Sequence, residues 1–494
     1  MNYTTLTRGD ILLIGCYELG HPPFSLALLS GFLEHANFPV DTADLAIHAF
    51  PKEKIMRAKV IGISVPMHTA LRIGVKAALL SREINPNCAI VFFGLYASLN
   101  ADFLLSDFSD HAPADFVIGG ECEEAFVSLI EAILNHTNTA IPGVSQKNVI
   151  SPPSLRLHSI APPSRTTLSP LCEYARLEKD GKTYLAGYVE ASRGCRHLCQ
   201  HCPIPPVYEG RFTIIPEEII QNDIATQVAM GAEHITFGDP DFLNGPNHSM
   251  KIVRKMHEKF PHLTFDFTAK IEHVLLYKEL LPEFSALGCI FIISAVESLN
   301  NTVLDVLKKG HTRTDVISAV KWVHQAGIAL RPSLVPFTPW ETLDSYLDLF
   351  DFVEHYQLIH HIDPVQYTVR LLIPPGSLLI SEPRMEPYLG PLVQESFSYR
   401  WAHPDTRMDR LQKQISREVE QMTAAHASTQ EIFYQLKACV IAMAEGRSVV
   451  QVSLAPPAVR VGPPVAAHVP PKMTESWFCC SEPTENQMGK LEVQ

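Results

Sequence analysis

The chain has 494 residues, of which 46% are hydrophobic and 19% are charged, and its formal net charge is −13. This length exceeds what one ordinary hydrophobic core organises, so we expect two or three domains. The negative charge disfavours nucleic acid and polybasic membrane contacts as main interactions, because both require a basic face.

The remaining bulk features indicate a cytoplasmic protein with no membrane partner. No apolar run approaches the roughly 20 residues that a membrane helix needs. Residues 1–10 lack the basic and apolar regions of a secretory signal. In a reducing compartment the 11 cysteines are not expected to form a disulfide framework.

Residues 1–136 are predicted to form a first domain with a doubly wound parallel sheet. Strand-like and helix-like segments alternate there, which is typical of helices packed on both faces of a sheet. Ligands of such sheets bind at the carboxyl ends of the strands. The predicted strands are 11–16, 59–65, 89–94 and 115–119, and the predicted helices are 24–36, 69–82 and 123–134. Residues 137–183 are rich in Pro, Ser and Thr and are predicted to be a surface connector.

Residues 184–380 alternate more regularly and are predicted to form an open, partial (β/α)6 barrel. Its mouth is expected to collect the carboxyl ends of the strands, as in complete barrels. The predicted strands are 188–192, 234–238, 264–269, 290–295, 330–335 and 364–368.

The last third of the chain is predicted to be helical and then extended. Residues 381–453 form a helical region, with amphipathic stretches in 403–447. Residues 454–494 form a proline-rich linker and a flexible tail that contains Cys479 and Cys480. At about 3 Å per residue, the linker reaches on the order of 50 Å.

The most informative motif is Cys-x3-Cys-x2-Cys, formed by Cys195, Cys199 and Cys202. Three thiolates can hold three irons of a [4Fe–4S] cluster and leave the fourth iron open to a ligand. The alternatives are a structural zinc site completed by His197 or His201 and a chance grouping of cysteines. The position of the motif directly after the first strand of the barrel region favours the cluster.

With this motif, residues 184–380 resemble a radical S-adenosylmethionine (SAM) domain. The resemblance implies a [4Fe–4S] cluster, SAM, and a reductant such as flavodoxin or ferredoxin. It places Asp239, and the pair Glu297 and Ser298, near SAM at strand ends. Arg331 and Arg370 either pair with the SAM carboxylate, which suits the planar guanidinium, or form surface ion pairs.

The first domain resembles the cobalamin-binding domain that precedes many radical SAM domains. The resemblance rests on Ser-Val-Pro-Met-His at 64–68, Gly-Gly-Glu-Cys-Glu at 119–123 and the order of the strands. The Asp-x-His-x-x-Gly loop that supplies a histidine to cobalt is absent, and His21, between Gly20 and Pro22, does not match it. Two interpretations stay open: cobalamin binding without a protein histidine, and a fold that binds no cobalamin.

The tail sequence Phe-Cys-Cys-Ser-Glu-Pro-Thr at 478–484 resembles that of the radical SAM group named for a Cys-Cys-Ala-Glu-Pro or selenocysteine-containing ending. That group resembles the radical SAM enzymes of arsinothricin biosynthesis. The resemblance implies transfer of the 3-amino-3-carboxypropyl group of SAM to arsenite held by Cys479 and Cys480. An incidental cysteine pair and a redox pair are the alternatives for these two residues.

Two other functions compete with arsenic alkylation. One is a cobalamin-dependent radical methylation or rearrangement of a small metabolite or peptide. The other is a non-catalytic cobalamin or metal sensor whose cluster is structural. The sequence does not determine which carbon–sulfur bond of SAM is cleaved.

Overall fold

The computed structural model describes residues 6–107, 112–137, 140–449, 452 and 469–475. Its N-terminal sheet has six strands in the order β2-β1-β3-β4-β5-β6. The first five are parallel, and β6 is antiparallel to β5. The strands are β1 (Ile11–Gly15), β2 (Val40–Asp44), β3 (Val60–Ser64), β4 (Ala89–Phe93), β5 (Phe116–Ile118) and β6 (Val144–Gln146).

Helices cover both faces of this sheet, which explains why β1 and β3 are buried along their whole length. The helices are α1 (Phe24–His35), α2 (Lys52–Arg57), α3 (His68–Ile84), α4 (Leu95–Leu99), α5 (Ala101–Leu104) and α6 (Glu123–Leu134). This architecture confirms the doubly wound fold expected from the sequence.

The central sheet is curled into a half-barrel of five parallel strands, β8 and β11 to β14. Strand β7 pairs antiparallel with β8, and β9 and β10 form a separate hairpin. The strands are β7 (Arg176–Lys179), β8 (Lys182–Val189), β9 (Ser192–Gly194), β10 (Phe212–Ile214), β11 (His234–Phe237), β12 (Thr264–Thr268), β13 (Cys289–Glu297) and β14 (Ala329–Leu334).

Helices connect these strands and form the outer layer of the half-barrel. They are α7 (Pro205–Tyr208), α8 (Glu217–Ala229), α9 (Pro246–Lys259), α10 (Ile271–Leu276), α11 (Leu281–Ala286), α12 (Asn301–Val306), α13 (Arg313–Gln325) and α14 (Leu343–His355). A single apolar core runs between this layer and the strands.

The prediction of a sixth barrel strand at 364–368 is wrong, because Pro364–Thr368 forms a 3₁₀ helix. Proline at its first position has no N–H to donate to a strand neighbour. The side chain of Gln366 takes the place of a neighbouring strand, since its Oε1 accepts a hydrogen bond from the Leu334 N–H at 2.9 Å.

The C-terminal region confirms two predicted helices and adds a hairpin that the sequence did not predict. The hairpin consists of β15 (Leu389–Val393) and β16 (Ser398–Trp401), and the helices are α15 (Thr406–Ala424) and α16 (Thr429–Glu445). Among the described residues, no helix combines the length and apolar character needed to cross a membrane.

A last strand, β17 (Lys472–Met473), pairs antiparallel with β7 and extends the barrel sheet. Just before it, the Pro471 carbonyl accepts a hydrogen bond from Arg331 on β14, at 3.4 Å. The two edges of the curled sheet therefore meet at this segment. Residues 454–494 are predicted to be wholly linker and tail, but residues 469–475 lie against the barrel and contribute β17 to its sheet.

Candidate active site

The Cys-x3-Cys-x2-Cys loop begins directly after the short strand β9. Cys195 and Cys199 are buried, and Cys202 is half-buried. The Gln200 N–H donates to the Leu307 carbonyl at 3.0 Å, and the Cys202 N–H donates to the Cys199 carbonyl at 3.2 Å. Backbone contacts thus hold the loop to the C-terminal end of α12 and within itself.

Glycine is required at position 194, immediately before the first thiol. Its φ is +74°, and a Cβ there would lie 2.4 Å from the Arg211 carbonyl oxygen. A left-handed conformation together with a close backbone approach is what glycine alone tolerates. This turn aims the loop towards the mouth of the half-barrel.

A buried charged group lies beside the thiols, at the end of β13. Lys309 Nζ lies 3.0 Å from Glu297 Oε1, and His201 Nε2 lies 3.1 Å from the same oxygen. Burial by itself raises the pKa of Glu297, but the Lys309 ammonium and the His201 hydrogen bond outweigh it and hold that pKa well below its usual range. Glu297 has a φ of +64°, a strained conformation of the kind that clusters at functional sites.

Asp239 follows β11 and is fully buried. Its carboxylate accepts hydrogen bonds from the Ala191 N–H at 2.9 Å and from the Ser192 hydroxyl at 2.5 Å. Burial raises the pKa of Asp239 to about 6. The carboxylate therefore holds the chain between β8 and β9, just ahead of the cluster loop.

His197, inside the loop, belongs to a second buried group. The ligand atoms of His197, Asp241 and His273 lie within 4.8 Å of one another, and Asp241 Oδ2 is 2.8 Å from His273 Nδ1. Lys270 Nζ lies 3.0 Å from His197 Nδ1. This group packs beneath the cysteine loop and supports it from the side of β12.

Residues 189–353 match the family model described as the radical SAM superfamily. This chain contains a radical SAM domain. The match runs from the last residue of β8 into α14, and it includes all three cysteines of the motif and the Glu297–Lys309 pair.

Solved structures with the same fold extend beyond the radical SAM domain. The cobalamin-dependent SAM radical enzyme OxsB, with aqua-cobalamin and SAM bound, has a TM-score of 0.67 and 16% identity, over 87% of this chain and 71% of that chain. The radical SAM methyltransferase TsrM from Kitasatospora setae has a TM-score of 0.55 and 18% identity, over 70% of this chain and 71% of that chain. At these identities the similarity concerns the fold.

Curated relatives match different shares of the chain. The ribosomal protein uS12 methylthiotransferase RimO from Clostridium botulinum is 26% identical over 191 residues, which are 36% of this chain and 41% of the relative. The chain thus matches about two fifths of that relative's length. An uncharacterized methyltransferase, PH0819, from Pyrococcus horikoshii is 23% identical over 362 residues, 70% of this chain and 75% of the relative.

The radical SAM domain uses a [4Fe–4S] cluster and SAM, and the cysteine loop fits the cluster. Burial lowers the pKa of Lys309, but Glu297 and the nearby thiols of Cys199 and Cys202 together outweigh this effect and raise it. The thiols raise this pKa to a smaller extent than Glu297 does. The ammonium is therefore placed to offset the negative charge of thiolates.

Three other residues predicted near SAM have protein partners elsewhere. The Ser298 hydroxyl donates to Glu341 at 2.7 Å. Arg331 pairs with Asp363 at 2.8 Å inside the barrel. Arg370 pairs with Asp409 and stacks over Trp401, with the guanidinium carbon 3.5 Å from the ring centroid. Of the predicted SAM contacts, Glu297 and Asp239 are thus the two that lie next to the cysteine loop, and the SAM roles of all five stay predictions.

A residue that the sequence did not single out, Arg193, joins the first domain to the cysteine loop. Arg193, two positions before Cys195, forms ion pairs with Glu121 and Glu123. The Tyr208 hydroxyl also donates to Glu121, at 3.2 Å. Both glutamates lie in the 119–123 motif, so that motif secures the cluster loop. No single-sequence signal links an arginine to carboxylates 70 and 72 positions away.

The carboxyl edge of the N-terminal sheet does not fit a corrin in the described structure, because the chain itself covers it. The loop after β1 packs on the barrel: the His21 ring packs at a tilt against Tyr188 with centroids 4.8 Å apart, and the Ala175 N–H donates to the Gly20 carbonyl at 2.8 Å. Beside it, His68 Nε2 lies 2.8 Å from the Ser396 carbonyl oxygen. A flat tetrapyrrole at this edge would have to displace these contacts.

The predicted catalytic pair, Cys479 and Cys480, lies outside the described residues. The described residues that precede this pair most closely in sequence are those of β17, Thr474 and Glu475. The Thr474 N–H donates to the Arg176 carbonyl at 2.8 Å, and the Tyr17 hydroxyl donates to Glu475 at 2.7 Å. The tail therefore departs from a fixed point on the barrel.

Proposed function

We propose that the chain is a radical SAM transferase that moves the 3-amino-3-carboxypropyl group of SAM to trivalent arsenic held by Cys479 and Cys480. The observation that carries the proposal is the anchoring of the C-terminal segment at the barrel. Glu475 lines the cavity inside the barrel. Four residues span at most about 14 Å, so the length of the chain keeps Cys479 within that distance of Glu475. Neighbouring thiolates are ligands that soft centres prefer.

The described residues supply positioning, charge and shielding for this reaction. When bound, the cluster supplies the electron that cleaves a carbon–sulfur bond of SAM. Cys195, Cys199 and Cys202 would hold it, and Lys309 would offset its charge. The loop after β1 and the segment before β17 cover the open side of the half-barrel, which excludes water from the interior.

The test is to incubate the reduced, cluster-loaded protein with SAM, with and without arsenite, and to identify products by mass spectrometry. The proposal predicts arsenite-dependent methylthioadenosine and an arsenic compound carrying the transferred group. Cys479→Ser is expected to abolish the arsenic product and leave the cluster intact. Cys172→Ser, which changes an exposed cysteine elsewhere, is the matched control. Formation of 5′-deoxyadenosine alone would contradict the proposal.

A second candidate is a cobalamin-dependent radical methylation or rearrangement, and the shared fold with OxsB and TsrM favours it. It requires the carboxyl edge of the N-terminal sheet to open. Absorption spectra of protein purified anaerobically from cells supplied with cobalamin test this candidate. Bound corrinoid in stoichiometric amount supports it, and its absence together with methylthioadenosine formation excludes it.

In either case the electron donor, for which flavodoxin or ferredoxin is predicted, is identified by replacing chemical reductant with each protein.

A further inference from the structure

A cavity inside the half-barrel lies among β11 to β14, the loop after β1 and the anchored C-terminal segment. Its polar lining consists mainly of His21, Asp266, Arg331, Asp363 and Glu475. None of these residues holds the cysteine loop. The cavity is thus separate from the cluster-binding residues, although it opens within the same barrel.

Two of these buried polar groups have an atom without a hydrogen-bond partner. Asp266 is fully buried, and its Oδ1 lies 2.8 Å from His234 Nε2 and accepts from the Thr236 hydroxyl at 2.7 Å. Its Oδ2 has no partner, and neither does Nδ1 of His21, which is 7% exposed. Leaving such atoms unpaired is costly, so both point to a ligand.

The charges of the lining select the sign of that ligand. Arg331 and Asp363 form an ion pair and largely compensate each other. Burial lowers the pKa of His21 to about 4, so its ring is neutral. The carboxylates of Asp266 and Glu475 are then left without a cationic partner among the lining residues, and the site favours a cation.

The hydrogen-bonding groups of the lining indicate that the cation is an amine. An ammonium group carries three donors, and the unpaired Asp266 oxygen and the His21 nitrogen are suitable acceptors. Phe291, Ile293 and Met473 form an apolar wall of the same cavity. Arg331 uses two of its guanidinium nitrogens for Asp363 and Pro471, and it carries further donors for a carboxylate.

We propose that this cavity binds a protonated primary amine and receives the amino-acid end of the group transferred from SAM. The identity of that amine as the aminocarboxypropyl end rests on the proposed function. Asp266 and Glu475 bind the ammonium, and Arg331 binds the carboxylate. Binding itself requires no turnover, so a failure of the site and a failure of the proposed reaction are distinguishable.

The test is saturation-transfer difference NMR on the cluster-loaded protein with three small probes. L-2-Aminobutyrate carries both charged groups, 1-propylamine lacks the carboxylate, and 2-hydroxybutyrate lacks the amine. The proposal predicts binding of the first two and no binding of the third. If 2-hydroxybutyrate binds as well as L-2-aminobutyrate, or if no probe binds, the proposal is overturned.

Asp266→Asn keeps the shape of the side chain and Oδ1, but replaces the unpaired oxygen with a donor. We expect it to weaken 1-propylamine binding by at least about tenfold, the loss typical of a charge-assisted hydrogen bond. Glu475→Gln, at the edge of the cavity, is a second variant that tests the site if Asp266→Asn fails to fold. Glu178→Gln removes the same charge from β7, where the side chain pairs with Lys472 on the surface, and should bind normally. Equal binding by all three variants would refute the assignment.

Discussion

Replacing Arg193 by methionine tests the connection between the first domain and the cluster loop. Arg193 is 12% exposed, and the side chains of Glu121 and Glu123 are 4% and 5% exposed. Arg193 donates to Glu123 at 2.6 and 3.1 Å and also pairs with Glu121. The substitution leaves two buried carboxylates facing each other without a cation.

Breaking one buried ion pair by removing a partner costs about 3–5 kcal/mol. Two carboxylates lose their partner here. Burial raises the pKa of Glu121 even though Arg193 lowers it, so without Arg193 this carboxylate takes up a proton more readily, which limits the cost. We therefore expect a loss of about 4 kcal/mol. Since Arg193 lies two residues before Cys195, we also expect the variant to retain less iron.

The assay is urea unfolding of the cluster-loaded protein, followed by far-ultraviolet circular dichroism and by cluster absorbance. Arg211→Met is the matched control, because Arg211 pairs with Glu209 at the surface, where both side chains are about two-thirds exposed. Such a pair contributes about 0–1 kcal/mol. Replacing both buried glutamates by glutamine in the Arg193→Met background should restore most of the loss. Equal unfolding midpoints for Arg193→Met and Arg211→Met would refute this reasoning.

Three further predictions concern the loop, the buried pair and the first domain. Gly194→Ala should destabilise the cluster-loaded protein by at least about 2 kcal/mol. Gly181→Ala is the control, because Gly181 has a similar φ of +71° but no atom within 4 Å of an added Cβ, and it should cost about 1 kcal/mol. Similar melting temperatures for the two variants would contradict the steric argument. Lys309→Met should lower the free energy of unfolding by about 3–5 kcal/mol and lower the iron content. Adding Glu297→Gln to this variant should recover part of the stability. Thermal unfolding and iron analysis measure these two effects. Burial raises the pKa of Glu18 to about 7, so between pH 4.5 and 7 the folded state holds a proton that the unfolded state loses, and stability falls as pH rises through this window. Glu18→Gln should remove about 2 kcal/mol of that fall after allowance for the partial exposure of the side chain, and an unchanged slope of stability against pH would contradict the assignment.

The parallel strands were predictable because both of their faces are buried. Runs such as Ile11–Gly15 and Ala89–Phe93 are continuously apolar, which is typical of a sheet covered by helices. Strand β2, Val40–Asp44, was missed because three of its five residues are polar, and two of these, Thr42 and Asp44, are nevertheless buried at the edge of the sheet. The 3₁₀ helix at Pro364–Thr368 was mistaken for a strand, because a short apolar segment does not identify its own hydrogen-bond partners.

The candidate site was predictable where its chemistry is local in sequence. Cys195, Cys199 and Cys202 all lie within a stretch of eight residues, so their spacing alone indicated the cluster. Lys309 was missed because a lysine in a loop is usually exposed, and nothing in the sequence places it against Glu297. The anchoring of residues 469–475 was missed for a related reason. A proline-rich stretch predicts a linker, whereas its pairing depends on a distant strand, β7, in which Glu178 pairs with Lys472 and Leu177 with Met473.

The central claim is that three thiols hold a [4Fe–4S] cluster that activates SAM. The most direct measurement is electron paramagnetic resonance of the anaerobically reconstituted, dithionite-reduced protein before and after addition of SAM, together with iron and sulfide analysis. The account predicts about four irons and four sulfides per chain, a reduced-cluster signal that changes when SAM binds, and loss of that signal in the Cys195→Ala, Cys199→Ala and Cys202→Ala variants. Stoichiometric zinc in place of iron, or a cluster signal that SAM leaves unchanged, would contradict it.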